Sequence, residues 1–251
     1  MPVPSSPYLF QSPLLNIRWY GVLIGLGMLM AIWVGLRLIK RFGLNEDAML
    51  DAVLWAVPSG ILGARLYYVV FHWDYYGSRL SETFRIWEGG LAIHGGLFAG
   101  VLAAYLYFRI KKIDFWPYLD IAMPALALAQ AIGRWGNYFN QEAYGSLTDL
   151  PWGMLIQGQK VHPTFLYESI WDLLLFFLLY RVLWRMKKPT GWATAFYMVL
   201  YSVGRFFIEA IRTDSEWFGP FKAAQVFSVM LIALGVVLYV KKVKPHESIK
   251  E

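Results

Sequence analysis

The chain has 251 residues, no cysteine, and 58% apolar residues against 16% charged, well below the ~25% charged content of a soluble domain, so its composition is that of a membrane protein. The missing thiol excludes disulfides, thiolate metal sites, iron–sulfur clusters and a cysteine nucleophile belonging to the protein itself. The formal charge of +6, from 23 basic and 17 acidic residues, is distributed between apolar stretches and reads as membrane topology, not as a nucleic-acid surface.

Seven stretches approach the ~20 residues that cross a ~30 Å hydrocarbon core: 19–39, 48–71, 89–108, 115–132, 163–184, 192–211 and 221–240. All are expected to be helices, because an open strand cannot satisfy its backbone in lipid. The expected fold is an all-α polytopic membrane protein of about seven transmembrane helices, a single domain over 1–251. The first and last stretches are clean apart from Arg37, whereas the middle five carry Asp51, Arg65, His94, Asp120, Glu168, Asp172, Arg205 and Glu209. Ionisable groups at that depth are costly in lipid and face a bundle interior or a cavity; Glu168 and Asp172, near a helix end, can also simply reach the interface.

Basic residues fall unequally on alternate sides. One side has twelve (Lys40, Arg41, Arg109, Lys111, Lys112, Arg185, Lys187, Lys188, Lys241, Lys242, Lys244, Lys250) and the other seven (Arg18, Arg79, Arg85, Arg134, Lys160, Arg212, Lys222). The positive-inside rule therefore places the C-terminus in the cytoplasm and, with seven spans, the N-terminus outside. Residues 1–16 lack Lys and Arg and so lack the basic region of a cleaved signal peptide. The outer side then owns the three longer connections, 72–88, 133–162 and 212–220, and long connections are where function concentrates.

The most informative stretch is Gly133-Arg134-Trp135-Gly136-Asn137-Tyr138-Phe139-Asn140-Gln141-Glu142. Arginine offers a fixed fork of donors for phosphate or carboxylate, glycine lets a ligand approach the backbone, and Glu142 can orient the guanidinium. The same residues also suit an interfacial loop of aromatic-belt type, and both readings are open at this point. In the sixth stretch Tyr201, Arg205, Glu209 and Arg212 share one helix stripe. A buried ion pair alone accounts for that stripe, but such pairs are often neutral for stability, so a functional stripe is favoured.

Glu88-Gly89-Gly90-Leu91-Ala92-Ile93-His94-Gly95-Gly96 sets a histidine among four glycines, and Gly96 and Gly100 form a small-xxx-small pair suited to close helix packing. A histidine in a membrane is either a packing residue or, facing a cavity, the natural proton acceptor at neutral pH. His72, His94, His162 and His246 lack ligand spacing to one another, so no metal is expected. The acids Asp214 and Glu216 read as solvated loop residues, and Ser59 lacks a clear partner base.

The run GRWGNYFNQEAYG (Gly133 to Gly145), together with RWYG (Arg18 to Gly21), HGGLFAG (His94 to Gly100), HPTFLYE (His162 to Glu168) and GRFFIEAIR (Gly204 to Arg212), closely resembles the prolipoprotein diacylglyceryl transferase family, in the family's order and over most of the chain. The resemblance implies a seven-helix bacterial inner-membrane enzyme with a periplasmic N-terminus. Its implied reaction moves the diacylglyceryl group of phosphatidylglycerol to the thiol of a lipobox cysteine in a preprolipoprotein and releases glycerol phosphate. A cysteine-free enzyme suits that chemistry, since the nucleophile arrives on the substrate.

By resemblance, Arg134 and Arg205 clamp the donor phosphate, Glu142 and Glu209 hold those guanidinium groups, and Asn137, Asn140 and Gly145 shape the headgroup pocket. His94 matches the histidine proposed to take the thiol proton, and Tyr20 matches a tyrosine near the site; Tyr201 and Arg212 join through the helix stripe. No cofactor, metal or nucleic acid is implied, and an opening between helices toward membrane lipid is expected for the acyl chains. A transporter for an anionic lipid or metabolite is the competing class, disfavoured by the absence of an inverted repeat.

Overall fold

A computed structural model describes residues 1–4, 6–12, 15–86 and 89–243. Glu88 of the glycine-rich segment, Lys244 and Lys250 of the topology count, and His246 lie outside the described residues. The chain forms two compact units, Met1–Phe42 with Leu119–Glu251, and Gly43–Tyr118. In chain order the helices are α1 (Trp19–Phe42), α2 (Glu46–Phe71), a single turn α3 (Trp73–Tyr76), α4 (Ile93–Ile110), α5 (Phe115–Asn140), α6 (Thr164–Arg185), α7 (Trp192–Ile211) and α8 (Ala223–Leu238). Among the described residues three antiparallel hairpins accompany them: β1 (Tyr8–Gln11) with β2 (Asn16–Arg18), β3 (Met154–Ile156) with β4 (Gln159–Val161), and β5 (Trp217–Phe218) with β6 (Phe221–Lys222). The protein is therefore predominantly helical, with small hairpins that an all-α reading omits.

Among the described residues six helices are long and apolar enough to cross a membrane: α1, α2, α4, α5, α7 and α8 extended to Lys241. The expected fifth span coincides with α6, which is long enough, but Glu168, Asp172, Arg181 and Arg185 lower its apolar character. Two expected boundaries also move. The third helix starts at Ile93 and not at 89, because Gly89 and Gly90 have positive φ, 95° and 70°. The fourth runs to Asn140 and not to 132, so Gly133–Asn140 is helix, not connection.

In the Gly43–Tyr118 unit, α2 opens on Asn45, whose side chain accepts from the Ala48 amide at 3.1 Å and so satisfies one free helix-start donor. Helices α2 and α4 run antiparallel in close contact. A Cβ on Gly63 would lie 2.7 Å from the Gly95 carbonyl, and one on Gly95 2.4 Å from the Gly63 carbonyl, so only glycine permits this approach. The expected Gly96 and Gly100 pair lies on the same seam, facing the Gly60 and Ala56 carbonyls. Two of the intramembrane ionisable residues are accounted for here. Asp51 accepts from the Tyr107 hydroxyl at 2.8 Å, and buried Arg65 donates to the carbonyls of Thr83, Glu82, Gly89 and Gly90 at 2.7 to 3.1 Å.

In the other unit, Asp120 does similar structural work. Fully buried on α5, it accepts from the amides of Thr190, Gly191 and Thr194 and from the Thr194 hydroxyl, at 2.7 to 3.0 Å. Those donors are the unpaired amides at the start of α7, so Asp120 caps α7 from a different helix. At the opposite end of α5, segment 143–162 folds over the helices: Gly145 bridges to Arg212 and Leu147 to Val161. Met154, Ile156, Val161 and Phe165 form a small core there, against Tyr138, Tyr144 and Leu166.

Replacing Asp120 with alanine strands three amides, two of them buried, at a cost of about 1–3 kcal/mol for each buried one. Thermal unfolding in detergent should show a lowered midpoint, and Asp120→Asn, which keeps one acceptor oxygen, a smaller loss.

Candidate active site

Glu168, Asp172, Arg205 and Glu209 converge with Arg134 in the unit made of residues 1–42 and 119–251. The C-terminal end of α5 brings Arg134, the N-terminal end of α6 brings Glu168 and Asp172, and the C-terminal end of α7 brings Tyr201, Arg205 and Glu209. Glu168 is the fifth residue of its helix, and Arg134 and Arg205 each sit six residues from theirs, so all three groups lie ~6–9 Å inside the same end of the bundle.

Their side chains form a line of alternating charge. Arg134 Nε lies 2.6 Å from Glu168 Oε2. The other oxygen of Glu168 takes the Arg205 guanidinium. Arg205 also contacts Glu209 at 2.7 Å, Glu209 lies 4.0 Å from Arg212, and Arg212 makes two bonds to Asp214, at 2.7 and 3.2 Å. Glu168 and Glu209 are almost wholly buried, with 7% and 3% of their side chains exposed. Buried carboxylates of this kind persist only when paired.

A cavity of about 10 Å³ opens at the junction, lined by Arg134, Glu168, Trp171, Asp172, Tyr201 and Arg205 among others, room for about one water molecule. Asp172 is buried, and its Oδ2 has no hydrogen-bond partner among the described residues. The wall is held by bonds between helices: Trp135 donates to Ser169, Ser169 to the Ala131 carbonyl, and Trp171 to the Leu200 carbonyl, at 2.8 to 3.1 Å. Tyr197 stacks on Tyr201 at 5.3 Å and donates to Gln130 at 2.6 Å.

The family pattern of prolipoprotein diacylglyceryl transferase matches residues 7–241. The chain belongs to the prolipoprotein diacylglyceryl transferase family. It is similar to proteins named phosphatidylglycerol–prolipoprotein diacylglyceryl transferase in several bacteria. That of Finegoldia magna is 49% identical over 227 residues, covering 90% of this chain and 92% of its own. That of Clostridioides difficile is 47% identical, covering 93% and 94%, and that of Streptococcus pneumoniae 46% identical, covering 94% and 93%.

Of the residues singled out from the family motifs and the helix stripe, the structure brings together Arg134, Tyr201, Arg205, Glu209 and Arg212. It departs from the expectation that Glu142 holds the Arg134 guanidinium. The helix ends at Asn140, and positive φ values at Gln141 and Ala143, 54° and 57°, fold the chain back over its last turn. Glu142 thereby accepts from Asn137 at 3.0 Å and Asn140 at 3.1 Å, and Arg134 is paired with Glu168 instead.

Gly145 sits where a Cβ would come within 2.8 Å of His162 and 3.0 Å of the Ile211 carbonyl, so its bridge to Arg212 demands the missing side chain. Tyr20, near the start of α1, packs its ring on Gly136, where a Cβ would approach to 2.4 Å. His94 belongs to the Gly43–Tyr118 unit, in the first turn of α4, with its ring 6.4 Å from that of Tyr67.

Sequence reasoning left out the central residue, Glu168, and its neighbour Asp172. Their i,i+4 spacing on one helix face, inside an otherwise apolar stretch, was the available signal. It also missed Lys222, whose ammonium donates to the carbonyls of Glu209, Ala210 and Arg212 at 2.6 to 3.2 Å and closes the C-terminal end of α7. At the edge of the line, partial burial pushes the Asp214 carboxyl up, but its hydrogen bonds and ion pair with Arg212 outweigh that and hold it below the usual carboxylate range. The stability this pair contributes is present above the ordinary carboxylate pKa and is lost as pH falls through the lowered one.

Glu168→Ala leaves two guanidinium groups without their shared partner inside the bundle, a loss of about 3–5 kcal/mol. Unfolding in detergent should show a far larger effect for Glu168→Ala than for the exposed Glu142→Ala, and equal effects would remove Glu168 from the centre of the network.

Proposed function

We propose that this protein transfers the diacylglyceryl group of phosphatidylglycerol to the lipobox cysteine thiol of preprolipoproteins, as a single multi-pass domain of the bacterial cytoplasmic membrane. The observation that carries the reading is the buried Arg134–Glu168–Arg205 arrangement in a chain of this family. In the reaction the thiolate sulfur attacks the glycerol carbon that bears the phosphate ester. A carbon–sulfur bond forms, the carbon–oxygen bond breaks, and glycerol phosphate leaves with the electron pair. Charge grows on the leaving phosphate, where fixed guanidinium groups in a water-poor site stabilise it most.

Both guanidinium groups are already occupied by Glu168, and the adjoining cavity of about 10 Å³ is far too small for a phosphate ester. The donor phosphate therefore exchanges with the Glu168 carboxylate, which swings off one or both forks, while Glu209 keeps Arg205 aimed. Arg212, Tyr201, Tyr20, Asn137, Asn140, Glu142 and Gly145 surround the donor headgroup, and His94 takes the thiol proton. In this reading α6 is the seventh span, its acids tolerated in the membrane because Arg134 and Arg205 neutralise them. The N-terminus and the active site face the periplasm, and the C-terminus lies in the cytoplasm.

Incubating the purified protein in detergent with phosphatidylglycerol and a lipobox peptide tests the reaction directly. The peptide should gain one diacylglyceryl group for each glycerol phosphate released, and a Cys→Ser peptide should stay unmodified. A folded protein that binds the lipid yet yields neither product would overturn the assignment in favour of transport. Arg134→Ala should lower the rate by ~100-fold or more. His94→Gln should cost ~100-fold or more if the imidazole is the general base, and a small loss would move the proton to another group.

A further inference from the structure

A second cavity in the unit of residues 1–42 and 119–251, about 640 Å³, lies between the C-terminal halves of α1 and α6. Glu168 and Arg181 are thirteen residues apart on α6, which is ~20 Å along the axis, and Tyr20 and Arg37 are seventeen apart on α1, ~25 Å. Those separations are most of a ~30 Å hydrocarbon core, so the ion-pair site and this cavity lie toward opposite ends of α1 and α6 and, with both helices spanning as proposed above, at opposite faces of the bilayer.

The chemistry of the two sites is opposite as well. Arg37, Arg181 and Arg185 line the second cavity, and among the described residues its lining includes no carboxylate. None of the three has an ion-pair partner among the described residues; Arg37 lies over the Trp33 ring, 4.5 Å from its centroid. The walls are aromatic, from Trp33, Phe177, Tyr180 and Trp184. Trp33, Phe177 and Trp184 remain 50%, 58% and 44% exposed, so the cavity is a groove open along the helix surface. Just beyond it, Arg41 lies 6.0 Å from the Trp184 ring.

Guanidinium forks match phosphate oxygens in pairs, and a groove of this volume suits a headgroup with the first methylenes of its acyl chains. Aromatic walls meet the glycerol and upper-chain region of a lipid, while the long arginine side chains reach the interface. A soluble anion would use the arginines and leave the aromatic faces without a partner.

We propose that this groove binds an anionic phospholipid of the leaflet opposite the Arg134–Arg205 site, with Arg37, Arg181 and Arg185 on its phosphate and the aromatic residues against its upper acyl chains. Basic pockets between membrane helices hold anionic headgroups in this way. The lipid is a bound companion of α1 and α6, separate from the donor consumed in the reaction. Naming its leaflet cytoplasmic rests on the topology proposed above; the binding does not.

The test uses the full-length protein in phosphatidylcholine nanodiscs containing a photoactivatable phosphatidylserine, with its diazirine high in one acyl chain, and maps the crosslinked peptides by mass spectrometry. Crosslinks are expected within residues 33–41 and 176–185, displaced by unlabelled phosphatidylserine but not by phosphatidylcholine or by soluble glycerol phosphate. The triple variant Arg37→Gln, Arg181→Gln, Arg185→Gln should lose them by at least about fivefold while retaining diacylglyceryl transfer, which also reports that it is folded. Equal labelling by a phosphatidylcholine probe, displacement by glycerol phosphate, or an unchanged triple variant would overturn the proposal. If that variant does not fold, the lipid competition on the unaltered protein decides alone. A protein that shows the arginine-dependent crosslink but no transfer would overturn the reaction and leave this lipid site standing.

Discussion

One carboxylate shared by two arginines is the constraint around which the helices are arranged. Glu168 on α6 takes Arg134 from α5 and Arg205 from α7, and each of these charges is costly in an apolar bundle until it meets its partner. No single helix can supply the pairing. The end of the bundle that holds the site is thus fixed by the need to bring three helices together there, and the hydrogen bonds from Trp135, Ser169 and Trp171 follow the same contacts.

The intramembrane ionisable groups then separate by what they bind. Asp120 spends its oxygens on three amides and a hydroxyl, and Arg65 spends its donors on four carbonyls. Partners on the backbone cannot rearrange without breaking local structure, so these two residues are fasteners. In the Arg134–Glu168–Arg205–Glu209 line every partner is another side chain, and beside it Asp172 keeps an oxygen that bonds to nothing described. Side chains can change rotamer and exchange partners at modest cost. A site that must admit an anionic lipid needs that freedom.

The same distinction explains what could be read from the residues alone. Tyr201, Arg205, Glu209 and Arg212 were legible as a stripe because they share one helix and the helical period is known. Arg134 was legible from its motif. Glu168 was not, because its two partners lie on other helices and nothing in a linear pattern records which faces meet. Glu142 was assigned to Arg134 by nearness in sequence, but the chain reverses at Gln141 and sends it to Asn137 and Asn140. The last two turns of α5 were also hidden, since Gly133, Arg134, Asn137 and Asn140 dilute the apolar signal on which spans are recognised, although their backbone is helical.

Charge counting carries the chemistry one step further. Around the junction Arg134, Arg205, Arg212 and Lys222 accompany Glu168, Asp172, Glu209 and Asp214, four formal cations against four potential anions. In the proposed reaction a donor phosphate added to such an assembly would make it net negative, so replacement of a carboxylate is the favoured entry. Glu209 pairs with Arg205 alone among the inner guanidinium groups, with Arg212 4.0 Å away, and Asp214 is bound twice at the exposed edge. Glu168 alone spans both inner guanidinium groups, which are the groups proposed to take the donor phosphate. Its displacement frees two forks at once, and it can do so only when an anion of comparable reach is there to take its place. In the proposed reaction that requirement would make the arginine pair selective for a phosphodiester over water, with the protein's own carboxylate as the competitor.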